Sequence, residues 1–272
     1  MTYSITKDEF RRFQKLIYDK SGITLSDQKE SLLVARLMKR LRELGLQTFS
    51  QYYELVASDQ AGEEFTRMLD LISTNKTDFF REPKHFEFLR EQILPPLERE
   101  KRIRVWSSAC STGEEPYTIA MTLYEGVRDP RQWDFKILAS DLSTRVLEQA
   151  MAGVYEADRL KDVPAELLRR HFLKGRGANE GLFKVKPHLA AIIRFQRINL
   201  MDEQFPIRTP LDVIFCRNVM IYFDRPTQEK LVNKFHRYLK PGGYLCIGHS
   251  ESLQWVRHPF KSVAPTIYRK EL

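Results

Sequence analysis

Two adjacent carboxylates offer the first chemical clue. Glu114 and Glu115 follow a short β-rich run, RIRVWSSA, and the small-residue turn Cys110-Ser111-Thr112-Gly113, and they open a helical stretch, YTIAMTLYEGV. Small residues let a backbone approach a ligand closely, but a single glycine is not a GxGxxG fingerprint. A dinucleotide pyrophosphate needs a helix N-terminus free of carboxylates. Two acids there suit a cationic ligand group, such as the ammonium of an amino acid, although first-turn acids also complement the helix dipole without any ligand. Asp141 ends a second β-rich run, FKILASD. An acid at that point can accept both hydroxyls of a ribose, or it can cap the helix starting near Ser143. Asn199-Leu200 ends a third run, AIIRFQRINL, where an amide can read an adenine edge. The fourth run, LDVIFCRN, leads into Arg217-Asn218-Val219-Met220-Ile221-Tyr222-Phe223. Each signal is weak alone. Together they describe a pocket for an adenosine with a cationic amino acid tail, which fits S-adenosylmethionine better than NAD. Upstream, TNKTDFFRE offers Asn75, Thr77 and Arg81 as donors among aromatic residues, and the arginine can hold a carboxylate bidentately or merely belong to a capped helix start.

These residues converge only if the runs are strands whose ends lie side by side. Strands alternating with helices from residue 102 onward predict a doubly wound, mostly parallel sheet, which binds ligands beyond the carboxyl ends of its strands. Residues 155–193 break the alternation with short charged segments and Gly175, Gly177 and Gly181, and they read as a small, hairpin-bearing antiparallel β insert. Residues 1–75 read as a separate all-helical domain, leaving 76–272 for the sheet. Asp8 caps the expected first helix, which carries Phe10, Phe13, Leu16 and Ile17 and stops at Ser21-Gly22. Ser26 opens the second, with Lys29 and Glu30 in its first turns. Its stripe is Leu33, Leu37, Leu41 and Leu44, and it stops at Gly45. Thr48 or Ser50 opens a third, and EEFTRMLDLIS forms a fourth after Gly62.

The chain has 272 residues, of which 42% are hydrophobic and 29% charged, a globular composition. No run of about 18 uncharged apolar residues predicts a membrane span. The N-terminus lacks the apolar segment of a signal peptide. Three widely spaced cysteines offer neither a disulfide framework nor a metal spacing, and the histidines add none, which favours a reducing compartment, the cytoplasm. Net charge is +8 and unevenly placed: residues 1–42 carry ten Lys/Arg against five Asp/Glu, and residues 43–75 carry one against six. On the second helix Lys29, Arg36, Lys39, Arg40 and Glu43 share an arc of about 100°. That arc is either a solvated face or a cationic strip for an acidic partner.

The strings ISTNKTDFFREPKHF, RVWSSACSTGEEPY, ILASDLS, INL and DVIFCRNVMIYFD resemble the chemotaxis receptor methyltransferases, the CheR family. The resemblance spans essentially the whole chain, including the closing GHSESL. It implies a Rossmann-like methyltransferase fold and S-adenosylmethionine-dependent O-methylation of glutamate side chains on the cytoplasmic helices of chemoreceptors. It implies cofactor contacts from Asn75, Thr77, Arg81, Glu115, Asp141, Asn199, Leu200, Arg217 and Asn218, with Arg81 and Tyr222 at the reacting end. It further implies that the helical domain docks on the receptor, and that the β insert can take a receptor's C-terminal tail. The expected protein is a monomer with no nucleic-acid partner and no membrane insertion. A carboxylate acceptor, with an ordinary pKa of about 4.3, needs no strong general base, and the sequence holds no Ser/His/Asp set to explain. The rival readings are a nucleic-acid methyltransferase, favoured by net charge but lacking an RNA-module signature, and a cofactor-binding adaptor without catalysis.

Overall fold

The computed structural model describes residues 4–59, 62–72 and 76–271. The N-terminal module is four helices, α1 (Lys7–Ser21), α2 (Glu30–Glu43), α3 (Phe49–Ser58) and α4 (Glu63–Ile72). Thr6, not Asp8, caps α1. Its hydroxyl accepts the Glu9 N–H while the Glu9 carboxylate accepts the Thr6 N–H, so two orphan donors are satisfied at once. Asp8 falls in the first turn instead, where it complements the dipole. Ser26 makes no cap bond either, because a single 3-10 turn at Asp27–Lys29 intervenes before α2. Thr48 caps α3 in a second reciprocal pair, with Gln51. The module closes its own core around Phe13, Ile17, Leu33, Leu37, Leu41, Phe49, Tyr52 and Val56, with Phe13 stacked on Tyr52 and edge-on to Phe49.

The remainder is an α/β domain. Its strands are β1 (Arg102–Ser107), β2 (Asp134–Asp141), β3 (Val154–Glu156), β4 (Phe172–Lys174), β5 (Leu182–Val185), β6 (Ile193–Arg197), β7 (Leu211–Cys216), β8 (Leu239–Ile247), β9 (Phe260–Ala264) and β10 (Ile267–Lys270). Its helices are α5 (Lys84–Phe88), α6 (Glu114–Glu125), α7 (Thr144–Ala152), α8 (Ala165–His171), α9 (Pro187–Ala190) and α10 (Arg225–Tyr238). Seven strands form the main sheet in the order β6-β2-β1-β7-β8-β10-β9. The pairings from β6 to β8 are parallel, as the alternation of elements predicts. The last two are antiparallel, formed by a C-terminal hairpin that the sequence reading did not contain. The reason is burial. Every residue of the central strand β7 is buried, and apart from Asp212 it reads as an apolar run, whereas the edge strand β9 is largely exposed and mixes polar with apolar residues. The insert is a three-stranded antiparallel sheet, β3-β5-β4, so the expected hairpin gains a third strand at the start of the insert.

Buried residues fill both faces of the main sheet. On one, Phe86, Tyr117, Ile119 and Phe135 pack together; on the other, Trp106, Ile214, Leu231 and Phe235 do so. The Trp106 indole N–H donates to Ser140 Oγ at 2.9 Å, so this large buried side chain keeps its one polar atom satisfied. Among the described residues no helix is long and apolar enough to cross a membrane.

Candidate active site

A cavity opens where β1, β2 and β7 end, and the helical module forms its far wall. From the sheet domain come Ser108, Ala109, Ser111, Glu115, Asp141, Leu200, Arg217, Asn218 and Tyr222; from the module come Ile23, Leu25, Lys29 and Leu69, and from the segment after it Thr77 and Arg81. The two domains are stitched beside the mouth. Ile23 bridges to Phe223, the Thr24 N–H donates to the Tyr222 carbonyl at 2.8 Å, and the Tyr18 hydroxyl donates to Asp224 at 2.8 Å.

Asp141 is held at the end of β2 by its neighbours' backbones. Its two oxygens accept the N–H groups of Ser111 (2.9 Å) and Ser143 (3.0 Å), and Ser143, not Asp141, caps α7. Burial pushes its carboxyl above the usual range, and the backbone donors pull back.

Consecutive helical residues point about 100° apart, and this separates the two glutamates. Glu114 is fully buried and turned away from the cavity, paired with Arg159 and with the Thr112 hydroxyl at 2.7 Å. It does not line the cavity. Glu115 faces the cavity, accepting from the Ser107 hydroxyl (2.6 Å) and from Arg217 (3.1 Å). Burial raises its carboxyl above the ordinary range, against the pull of the arginine.

Arg217 is the hub. Its side chain is only 2% exposed, and it bridges Glu115 to Glu82, 3.0 Å away, while also donating to the Arg81 carbonyl. Burial works against the Glu82 charge, but Arg217, the His249 N–H and the Asn218 amide outweigh it and hold that carboxyl below the usual range. With both acids ionised, two carboxylates share one guanidinium. That arrangement has the polarity a cationic ligand group requires.

Asn218 adopts a left-handed conformation, φ 58°, and its amide donates to Glu82 at 3.2 Å. Gly248 is needed beside it: a Cβ there would lie 2.5 Å from Asn218 Nδ2. Thr77, Arg81, Leu200 and Tyr222 line the cavity, with the Arg81 guanidinium also donating to the Lys76 carbonyl at 2.9 Å. Asn199 is placed otherwise. Its amide donates to the Lys20 carbonyl at 2.7 Å and its oxygen accepts the Met201 N–H at 3.0 Å, so it ties β6 to the end of α1 and does not line the cavity. Asn75 lies outside the described residues.

The cationic strip divides. Arg36 and Lys39 are exposed on α2, and Lys29 is exposed at the cavity edge. Arg36 donates to the Leu71 carbonyl at 3.0 Å, and Lys39 lies 4.0 Å from Glu43. Arg40 does not belong to the strip. It is 14% exposed and forks onto Glu64 at 2.9 and 2.5 Å, with a third contact to Glu43 at 3.1 Å, because α4 packs its glutamate across this part of α2.

Sequence reasoning missed Glu82, His85 and Glu251, whose partners are far away in the chain. One ligand atom each of Glu82, His85 and His249 lies within 4.8 Å of the others. His85 Nε2 sits 2.8 Å from Thr266 Oγ1, whose own proton goes to the Pro265 carbonyl. The imidazole therefore carries its proton on Nε2, and its bare Nδ1 faces Glu82 at 3.7 Å. Burial, and then Arg217, push His85 down to about 3. The cation that Glu82 serves here is the Arg217 guanidinium, whose charge opposes a metal ion in the same place.

Comparison with known proteins decides what this cavity belongs to. Residues 75–269 match the family described as CheR methyltransferase, SAM binding domain, and residues 8–73 match CheR methyltransferase, all-alpha domain. The chain belongs to the CheR methyltransferase family. It is 42% identical to the chemotaxis protein methyltransferase of Escherichia coli (strain K12), over 97% of this chain and 91% of that protein. It is 41% identical to the chemotaxis protein methyltransferase of Borreliella burgdorferi, over 99% and 96% of the two chains. Its cofactor is S-adenosylmethionine, and the donor set fits. Asp141 suits the ribose, the carboxylate excess around Arg217 suits the ammonium, and Leu142, Ile198 and Leu200 offer apolar walls for a base. The chain is thus an S-adenosylmethionine-dependent methyltransferase of chemotaxis.

Proposed function

We propose that this chain is a protein-glutamate O-methyltransferase that modifies the cytoplasmic helices of a chemoreceptor and leaves S-adenosylhomocysteine as product. The observation that carries the reading is the meeting of Arg81 and Tyr222 with Asp141 and Glu115 in one cavity at the seam between the two domains. The bound cofactor supplies an electrophilic methyl on sulfur. Asp141 holds its ribose and Glu115 its ammonium. Arg81 orients a carboxylate electrostatically; a guanidinium is always charged and does not act as an acid. The Tyr222 hydroxyl positions the acceptor oxygen. An ionised glutamate needs no proton removed, so the task of these residues is alignment with water excluded, which in favourable systems supplies about 7–11 kcal/mol. The walls contributed by Ile23, Leu25 and Leu69 serve that exclusion.

Lys29, Arg36 and Lys39 meet an acidic receptor surface, and the β insert takes a receptor tail peptide. The enzyme works in the cytoplasm as a monomer. Transfer of tritiated methyl to receptor fragments, with RNA as the competing acceptor, tests the reading. Base-stable label on RNA, or none on receptor carboxylates, overturns it.

A further inference from the structure

Glu251 lies outside the set that contacts the cavity, yet its carboxylate, 8% exposed, gathers five backbone N–H groups. One oxygen accepts from Gly248 (2.6 Å) and Asn218 (3.0 Å). The other accepts from Val219 (3.0 Å), Met220 (2.7 Å) and Ile221 (3.3 Å). Four successive N–H groups converging on one anion form a concavity of the kind that binds phosphate in other proteins, and here a side chain of the same chain fills it. The segment so held is short and carries function at both ends. Arg217 precedes it and joins Glu82 to Glu115. Tyr222 follows it and lines the cavity. Its first residue, Asn218, is in the left-handed region, which asparagine adopts more readily than other side-chain-bearing residues, and it is held by Glu251 at its backbone N–H and by Glu82 at its side-chain amide.

We infer that Glu251 is a positioning residue for methyl transfer: by fixing the backbone of 218–221 it sets where the Tyr222 hydroxyl stands relative to the cofactor. The inference rests on the proposed role of Tyr222 at the acceptor end. A carboxylate suits the task because it is acceptor-only and saturates with the donors the turn presents. An amide of the same shape brings its own N–H groups against backbone N–H groups, and the turn must open.

The test is a cycle of Glu251→Gln, Tyr222→Phe and the double variant, with Glu251→Asp in parallel. Cofactor affinity is read by calorimetry, folding by thermal unfolding, and chemistry by single-turnover methyl transfer to receptor fragments. The expected result is a rate for Glu251→Gln lowered about 10- to 100-fold, the scale of a displacement near 1 Å, with cofactor affinity within about threefold of the parent. Tyr222→Phe then adds little on top of Glu251→Gln, because both act through one hydroxyl. A parent rate in folded Glu251→Gln overturns the inference, and so do additive losses or a parallel fall of rate and cofactor affinity. Should Glu251→Gln fail to fold, Glu251→Asp, which keeps the charge on a shorter arm, is read by the same criteria. Parent enzyme that transfers no methyl to receptor signals instead that the glutamate reading has failed.

Discussion

The cavity rim was legible as polar residues following β-rich runs and the cationic face of α2 as charges at helical spacing, and the structure treats the two differently. At the rim, Asp141, Glu115, Arg217 and Asn218 converge on one wall. Parallel register brings Asp141, Arg217 and Asn218 together: Ser107 pairs with both Ala139 and Phe215, so residues just past these strand ends are neighbours, and the first turn of α6 adds Glu115. On α2 helical spacing groups Lys29, Arg36, Lys39 and Arg40, but a helix face has no fixed neighbour. The chain returns 24 residues later with Glu64 and takes Arg40 into the module's interior. A sheet end fixes partners by topology, whereas a helix face leaves them to packing.

The largest effect that sharpens this contrast is expected at Arg217. Arg217→Ala leaves Glu82 and Glu115 buried without their cation, which destabilises a protein by about 3–5 kcal/mol. Urea denaturation measures it, and cofactor binding falls with it. Arg217→Lys rescues only in part, since a point charge does not reproduce the fork across two carboxylates. Next comes Asp141→Ala, expected to weaken S-adenosylmethionine by about 1–3 kcal/mol without unfolding the protein, because backbone donors and ribose hydroxyls lose their acceptor. Unchanged affinity in calorimetry would take Asp141 out of the ribose site.

Arg40 and its exposed neighbours should separate cleanly. Arg40→Ala is expected to lower stability by about 1–2 kcal/mol, discounted from a fully buried pair because both partners retain some solvent. Arg36→Glu with Lys39→Glu should shift stability by no more than about 1 kcal/mol, the allowance covering the Leu71 carbonyl bond. That double variant should raise the KM for receptor and flatten its salt dependence, since exposed charges are screened over about 8 Å at physiological ionic strength. Kinetics that track the parent at every salt concentration would return α2 to a merely solvated face.

The smallest effect at neutral pH belongs to His85, and it grows on acidification. Its folded pKa, about 3, lies far below that of an unfolded histidine. As pH falls below about 6.5 the unfolded chain takes up the proton first, so this group erodes stability from there down to its folded value. His85→Gln should remove that part of the acid sensitivity. Denaturation midpoints for the two proteins that fall in parallel between pH 6.5 and 4 would show that His85 titrates normally.

Amphipathic spacing, turn glycines and the alternation of β-rich and helical runs are local signals. They were sufficient to predict the helical module, the parallel half of the sheet, the strand ends that carry Asp141 and Arg217, and the helix start that carries Glu115. Local competition misled the caps, where Thr6 with Glu9 satisfies two donors and Asp8 would satisfy one. The exposed C-terminal hairpin lacked an apolar run to announce it. What only the tertiary structure decided is which charges meet. Arg217 finds Glu82 across 135 residues, Asn199 finds the Lys20 carbonyl across 179, and Glu251 finds the turn at Asn218 across 33. An ion pair or a buried hydrogen bond depends on distance and desolvation, and neither exists in the chain until packing creates it.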